Sequence, residues 1–360
     1  MTTDKKTSKD QTQEKVENKN NSEVISNQIE YPAGDKINPR KRAKARIDTN
    51  LKSWLKKLMD KYVLSEDEHA EILENIKKTS YEGKNRREKP KFVIVLAQTG
   101  AGKSNLTSSI YSNDDNLVII DSDKYKAYRH DNKDILRDHF AEYAYLTAPD
   151  AYLHRDEMLT DAMGGDNAPD AMNSKYNILI ECAPSGKDGL FVDIDRIQQA
   201  GYTVEIHVLG VSSLNSSLSV HERYEDLLER NSNVAKLTSL DRHDDSFTSL
   251  NEAVKENQNK KNVKICVYKR GENGKSAPEK VYDSSNDDKR FSCAYEALQY
   301  TQNCDLDKTM EQASTRIGKL KDKMIARMAP ANQIMQLLKI LGRYEEIQKK
   351  RADRGKNKWK

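Results

Sequence analysis

Eight residues, Ala97 to Ser104, combine two glycines, a lysine and a serine in the order A-Q-T-G-A-G-K-S. The apolar run F-V-I-V-L, from Phe92 to Leu96, precedes them directly. A strand that ends in small residues, followed by a helix that begins at the lysine, directs backbone N–H groups and the positive end of the helix at an anion. The pattern predicts a phosphate-binding loop, although Ala97 stands where such loops usually have their first glycine.

The side chains of this loop have separable tasks. Lys103 is predicted to reach the β- and γ-phosphates of a nucleotide, and the Ser104 hydroxyl to bind Mg²⁺. The predicted ATP-binding residues are Gln98, Thr99, Gly100, Ala101, Gly102, Lys103, Ser104 and Asn105. The loop alone does not separate kinases from other nucleotide-binding proteins, but no guanine-reading N-K-x-D motif follows a later strand, which argues against a GTPase.

A second apolar run, L-V-I-I from Leu117 to Ile120, ends in Asp121-Ser122-Asp123. At the carboxyl end of a strand, one carboxylate can accept the proton of an attacking hydroxyl and another can hold Mg²⁺ through water. We interpret Asp123 as a general base and Asp121 as a Mg²⁺ ligand. The alternative is that one or both only cap the helix that follows.

The loop, together with V-I-I-D-S-D-K-Y from Val118, resembles the zeta-toxin family of phosphate-loop kinases. Further matching segments follow in the same order over about residues 90 to 290. They are N-I-L-I-E ending at Glu181, G-Y-T-V-E from Gly201, H-E-R-Y-E around Arg223, A-K-L-T with a later H-D pair, and V-Y-D-S from Val281. The resemblance implies ATP-dependent phosphorylation of a nucleotide sugar, typically at the 3′-hydroxyl of UDP-N-acetylglucosamine, and therefore a toxin that depletes a peptidoglycan precursor.

The resemblance also implies roles for individual residues. Asp123 is expected to deprotonate the sugar hydroxyl, and Arg223 to neutralise charge on the transferred phosphoryl group. Lys236 is a further catalytic candidate, where the family usually has a second arginine; it keeps the charge but lacks the planar two-donor fork. The alternative for Arg223 is a helix-surface ion pair with Glu222 or Glu225.

Departures from the family pattern fall on the acceptor side. The family's F-R-x-x-H-P appears here as Y-K-A-Y-R-H-D from Tyr125, and Cys182-Ala183 replaces the G-T that usually follows the glutamate. The predicted substrate contacts are Asp123, Tyr125, His130 and Glu181. The identity of the acceptor therefore stays open, and the alternative is a hydroxyl of another nucleotide, of another sugar or of an antibiotic. A protein of a different class, a nucleotide-dependent binding switch, is a further alternative.

The elements that must position these residues follow from five short apolar runs. They lie at residues 92–96, 117–120, 178–180, 204–209 and 263–268, separated by longer helical or polar segments. This spacing predicts an α/β fold with a mostly parallel sheet flanked by helices, and the loop makes it P-loop kinase-like. We assign the kinase domain to residues 91–290.

Helical extensions flank this domain. Residues 1–46 are predicted to be a disordered polar tail, since they contain too few apolar residues to form a core. Residues 47–90 are predicted to be a helical extension, in which Ser65 and Glu68 form a capping box; an internal antitoxin is the alternative. Residues 291–360, interrupted at Pro330, are predicted to form a helical hairpin with a basic tail, which either docks on the kinase or binds a partner.

Composition limits the class of protein. The 360 residues carry a net charge of +4, too little to argue for nucleic acid as a partner. No run approaches the roughly 20 apolar residues of a membrane span, and the N-terminus has no secretory-type segment. Four scattered cysteines without a C-x-x-C pair indicate reduced thiols. We expect a cytoplasmic protein whose partner, as the resemblance implies, is a small helical antitoxin.

Overall fold

The apolar runs of the sequence form one six-stranded sheet. In this computed structural model the described residues are 53–139, 142–164, 175–186, 193–230, 237–274, 276–286 and 290–357. The strands are β1 (Lys91–Leu96), β2 (Leu117–Ile120), β3 (Asn177–Cys182), β4 (Thr203–Gly210), β5 (Val263–Lys269) and β6 (Glu279–Asp283). Their order is β2-β3-β1-β4-β5-β6, and only β6 is antiparallel to its neighbour.

Helices connect and cover these strands. They are α1 (Ser53–Lys61), α2 (Glu66–Tyr81), α3 (Lys103–Asn113), α4 (Ser122–Tyr125), α5 (Asn132–Asp138), α6 (Tyr143–Ala162), α7 (Ile194–Gln199), α8 (Ser213–Glu229), α9 (Leu240–Asn257), α10 (Ala294–Ala326) and α11 (Ala331–Asn357). No helix within the described ranges is both long and apolar enough to span a membrane. The predicted tail at residues 1–46 and the predicted catalytic residue Lys236 lie outside these ranges.

The central strand β1 is buried on both faces. Phe92 and Ile94 pack into the main hydrophobic core, whereas Val93 and Val95 pack into a second cluster with Leu106 of α3. Burial on two faces explains why the strand is a continuous apolar run instead of an alternating one. The mostly parallel sheet between helical layers is the predicted fold class, which is confirmed.

The N-terminal extension belongs to the same core. The capping box predicted at Ser65 is confirmed, since the Glu68 amide donates to the Ser65 hydroxyl (3.3 Å) and the Ser65 amide donates to the Glu68 carboxylate (2.9 Å). Ile72 and Ile76 of α2 pack in the main core, so the core crosses the domain boundary that the sequence placed at residue 91. A buried guanidinium, Arg129, also donates to the Tyr62 carbonyl just after α1 (2.7 Å).

A buried histidine at the contact of α2 with α6 predicts acid sensitivity. His154 stacks on His69 at 4.0 Å between ring centroids. Burial, with repulsion from His69, lowers the pKa of His154 to about 4. Below pH ~6.5 the unfolded chain therefore binds a proton at His154 that the folded chain excludes. The stability that the neutral His154 ring contributes is complete above pH ~6.5 and is lost as the pH falls towards 4.

We expect this difference to appear in chemical unfolding at pH 7 and pH 5. The wild type should lose about 2 kcal/mol more of its free energy of unfolding over this interval than His154→Gln, in which the titrating ring is absent. Equal pH dependence of the two proteins would contradict the assignment of a neutral, buried His154.

The C-terminal helices form the predicted hairpin, and it docks on the sheet-containing part of the chain. α10 and α11 bury Ile317, Leu320 and Ile340 against Leu214 and Leu218 of α8. This packing is the docking that the sequence left open as one of two alternatives. The hairpin thus supports the helix that carries Arg223.

Candidate functional site

The loop between β1 and α3 has the backbone that an anion site requires. Gly100 and Gly102 adopt φ values of 77° and 97°, and Gly102 caps the helix that begins at Lys103. A Cβ on Gly100 would overlap the Ser216 carbonyl oxygen and lie 2.7 Å from a methyl group of Val220. A side chain at position 100 would therefore push the loop off α8.

Lys103 folds over its own loop. Its Nζ donates to the carbonyls of Ala97 and Gln98, both at 3.3 Å. Burial lowers the pKa of Lys103; the Glu181 carboxylate opposes this shift, and the Arg242 and Arg223 guanidinium groups add to it. The Lys103 ammonium group is therefore held at the loop, near several charged side chains, as is expected of a lysine that binds phosphate.

Three more of the predicted ATP-binding residues lie at the start of α3 and differ in exposure and contacts. Ala101 is fully buried, Ser104 is exposed, and the Asn105 amide donates to the Gly274 carbonyl. The Ser104 hydroxyl is thus accessible for a ligand, whereas the Asn105 side chain holds the segment after β5 against the helix.

Two loop residues face away from any ligand. The buried Gln98 amide donates to the Val211 carbonyl (2.7 Å) and to the Ser216 hydroxyl (3.2 Å). The Thr99 backbone amide donates to the Ser246 hydroxyl of α9 (3.2 Å). These groups attach the loop to α8 and α9, so the Gln98 side chain and the Thr99 N–H are not available to ATP.

A Ser-His-Asp chain lies behind the loop. Ser216 Oγ is 2.8 Å from His243 Nε2, and His243 Nδ1 is 3.0 Å from Asp244. Arg343 of α11 donates to the Asp244 carboxylate. Although burial acts to raise it, the His243 and Arg343 hydrogen bonds lower the pKa of Asp244 to about 2. Ser216 is fully buried, so the chain braces the phosphate loop and is not a hydrolytic triad.

The acidic pair lies at the same edge of the sheet, further from the loop. Asp121 caps α4 by accepting from the Asp123 amide (2.9 Å), which is the capping alternative. The Asp123 side chain is 82% exposed, with a carboxylate oxygen 2.5 Å from Lys126 Nζ. Because β2 is two strands from β1, Asp121 is offset by about 10 Å from the loop's strand.

Glu181 is closer to the phosphate loop than the sequence indicated. β3 neighbours β1 directly, with Glu181 opposite Val95. Its carboxylate accepts from the Thr107 hydroxyl of α3 (2.7 Å), and its charge acts on Lys103. The sequence predicted a substrate contact, whereas the structure places Glu181 beside the loop's own helix.

The other two predicted substrate residues lie elsewhere. Tyr125, a predicted substrate contact, is only 4% exposed and packs in the main core. Its ring therefore faces the core instead of a substrate, and burial raises the pKa of its hydroxyl. His130 is exposed, with Nε2 3.6 Å from the Glu71 carboxylate of α2. The structure therefore does not bring either side chain to the phosphate loop through a described contact.

Arg223 is exposed on α8, and the neighbouring carboxylates bind other cations. Glu222 binds Arg316 and Glu225 binds Arg327, each at 2.6 Å. The alternative of an ion pair between Arg223 and either glutamate is therefore wrong. Lys323 of α10 binds the remaining two acids of α8, Asp226 and Glu229, at 3.0 Å. Among the residues that the structure covers, Arg223 makes no ion pair, so its guanidinium is available to a ligand.

Sequence reasoning missed two arginines at this edge. Arg242, in the first turn of α9, donates to the carbonyls of Ala183 (2.9 Å) and Pro184 (3.2 Å), directly after β3. Arg270 directly follows β5. For Arg270 a signal existed, because the residue after a parallel strand lies at the edge where such folds bind ligands. No comparable local pattern marks Arg242.

A parallel sheet with a phosphate loop after its central strand defines a phosphate-loop protein of the kinase-like type. The chain belongs to the zeta-toxin family: the family model "Zeta toxin" matches residues 74–287, more than half of the chain. This match begins within α2 and ends before α10, so the C-terminal hairpin lies outside it.

Individual relatives are more distant. Toxin zeta of Enterococcus hirae is 27% identical over 193 residues, which cover 52% of this chain and 62% of that protein. Toxin zeta of Streptococcus pyogenes is 28% identical over 45% of this chain and 54% of its own length. The chain thus spans between half and two thirds of these relatives.

A solved structure supports the fold. It comes from the PezAT chromosomal toxin–antitoxin system of Streptococcus pneumoniae, with a TM-score of 0.55 and 19% identity. The match covers 72% of this chain and 98% of that one. Toxin PezT of the same species is 22% identical over 264 residues. The predicted P-loop kinase-like architecture is therefore confirmed at the level of the fold.

Proposed function

We propose that the protein is an ATP-dependent kinase of the zeta-toxin type that phosphorylates a hydroxyl of a nucleotide sugar and thereby acts as a toxin. The first acceptor to test is UDP-N-acetylglucosamine, at its 3′-hydroxyl. The observation that carries the proposal is the glycine loop, closed over Lys103, at the same sheet edge as the exposed Asp123 carboxylate. Family membership supports the reaction class.

The nucleotide side of the site uses the loop and its helix. Lys103 and the amides at the start of α3 would bind the phosphates of ATP. Ser104 directly, and Asp121 through water, would hold Mg²⁺, and the position of Glu181 beside α3 adds a third oxygen donor. These few oxygen donors suit Mg²⁺, which keeps several waters and binds through substrate phosphates. Bound Mg²⁺ would neutralise charge between the β- and γ-phosphates.

The acceptor side uses the exposed groups. Asp123 would orient the sugar hydroxyl and take its proton as the phosphoryl group transfers. Arg223 would bind the charge that develops on that group, and Lys236 would add a second cation. The exposure of the Asp123 and Arg223 side chains supports these proposed roles, since both can reach a ligand from the surface.

Partner and compartment follow from the same proposal. The structurally similar chain belongs to a toxin–antitoxin system, which supports a small helical antitoxin as the partner. We propose action in the cytoplasm, where ATP and nucleotide sugars are available.

The test is ATP consumption by the full chain with UDP-N-acetylglucosamine and a panel of other nucleotides and sugars. We expect phosphorylated acceptor from the wild type and from Lys78→Ala, an exposed lysine of α2, but not from Lys103→Ala. Growth should stop on expression of the wild type or of Lys78→Ala, but not on expression of Lys103→Ala. If no acceptor is phosphorylated and Lys103→Ala does not change growth, the proposal is wrong. If another acceptor is phosphorylated, only the assignment of UDP-N-acetylglucosamine as the substrate is wrong.

A further inference from the structure

Arg270 lies beside the phosphate loop, between two glycines. A Cβ on Gly102, the cap of α3, would be 3.8 Å from Arg270 Nε, and a Cβ on Gly274 would be 2.8 Å from the same atom. Both glycines adopt positive φ values. The segment after β5 therefore folds around the guanidinium, and the Asn105 amide, through the Gly274 carbonyl, holds that segment at the first turn of α3.

Arg270 has no carboxylate partner in the part of the chain that the structure describes. Its one hydrogen bond there is from Nη1 to the Ser219 hydroxyl (3.1 Å), and its Nε is buried without an acceptor. The nearby carboxylates are committed elsewhere. Glu222 binds Arg316, and Asp305 accepts from Ser212 and Asn215.

A half-buried cation without a counter-ion carries a desolvation cost. Burial, together with the neighbouring Arg316, lowers the pKa of Arg270, although Asp305 and Glu222 act in the opposite direction. Guanidinium remains protonated at any physiological pH, so the group cannot escape this cost by losing its proton. Such an uncompensated charge beside a phosphate loop is typical of a ligand-binding residue.

We propose that Arg270 binds a phosphate oxygen of the nucleotide that the loop holds, and so supplies a cation from β5 to the polyphosphate. This inference rests on the proposed ATP site. The guanidinium, set against Gly102, can place its planar donors at the oxygen atoms of a phosphate bound over the start of α3. The nucleotide would be the counter-ion that the described residues do not provide.

Arg316 of α10 has a positioning role in this arrangement. Its guanidinium and that of Arg270 both donate to the Ser219 hydroxyl, and Arg316 also holds the Glu222 carboxylate at 2.6 Å. Without Arg316, the Glu222 carboxylate would be free to pair with Arg270 and would compete with the nucleotide. The docked hairpin thus keeps Arg270 available.

The test is calorimetric binding of ATP and of inorganic tripolyphosphate, each with Mg²⁺, to the full chain. Arg270→Met should weaken both ligands roughly ten- to a hundredfold, with partial recovery in Arg270→Lys. Lys269→Gln, which removes the same charge one residue away, should bind both like the wild type. Tripolyphosphate lacks a base and a ribose, so an equal loss for both ligands locates Arg270 at the phosphates.

Other outcomes overturn the inference. Wild-type affinity in Arg270→Met, or a loss for ATP with tripolyphosphate unchanged, would exclude a phosphate contact. If the wild type binds neither ligand, the proposed ATP site is wrong, and the inference about Arg270 is then wrong as well.

A second pair of variants leaves Arg270 in place. Arg316→Gln should weaken ATP binding, and adding Glu222→Gln should restore it, because the competing carboxylate is then neutral. A purely structural role of the ion pair predicts no restoration, since the double variant also lacks the pair.

Discussion

Asp123→Asn is expected to abolish phosphoryl transfer while ATP still binds. Asparagine preserves the size of the side chain but cannot accept the proton of the attacking hydroxyl. Loss of a positioned general base typically costs about 10²- to 10⁴-fold in rate. Since the Asp123 side chain is 82% exposed and pairs with Lys126, the phosphate site should be unaffected.

The measurement is kcat for the acceptor that the wild type uses, with the Kd of ATP measured in parallel. Asp134→Asn makes the same change at an exposed carboxylate of α5 and should behave like the wild type. Transfer and growth arrest at wild-type levels in Asp123→Asn would contradict the role of general base. A protein that binds ATP, tolerates this change and phosphorylates nothing would instead be a nucleotide-dependent binding switch.

Sequence reasoning was most effective where the pattern is local. The run from Phe92 to Leu96 requires burial on two faces, and the glycines that follow it require the backbone of a phosphate loop, so strand, loop and helix were predictable together. The capping box at Ser65 is equally local, because its two partners are three residues apart. Each of these elements follows from a few consecutive residues.

Contacts between distant segments were not predictable. Arg316 lies 94 residues after Glu222, so sequence alone left Glu222 as a partner for Arg223. Tyr125 follows a candidate catalytic aspartate by two residues, yet the short helix α4 turns its ring into the core. The uncompensated charge of Arg270 depends on where several carboxylates bind, which only tertiary packing decides.

Arg223→Ala should slow phosphoryl transfer by about 10³- to 10⁵-fold, which is the usual effect of an arginine that stabilises the transferring phosphoryl group. The ATP Kd should change only slightly, because the guanidinium would act on charge that develops in the transition state. Arg223→Lys should recover only part of the rate, since an ammonium group lacks the planar fork. The measurement is kcat and the ATP Kd for each variant.

The docked hairpin makes this prediction sharper than family membership alone. α10 and the residue that follows it, Arg327, bind all four carboxylates of α8, including Asp226, which lies one turn from Arg223 and would otherwise be its natural partner. Because Arg223 has no ion pair in the described part of the chain, its truncation should not change the free energy of unfolding measurably. Arg230→Ala, at an exposed arginine just after the same helix, is the matched control. If Arg223→Ala transfers phosphate as fast as Arg230→Ala does, Arg223 is only a surface charge and the cation for the phosphoryl group must come from elsewhere.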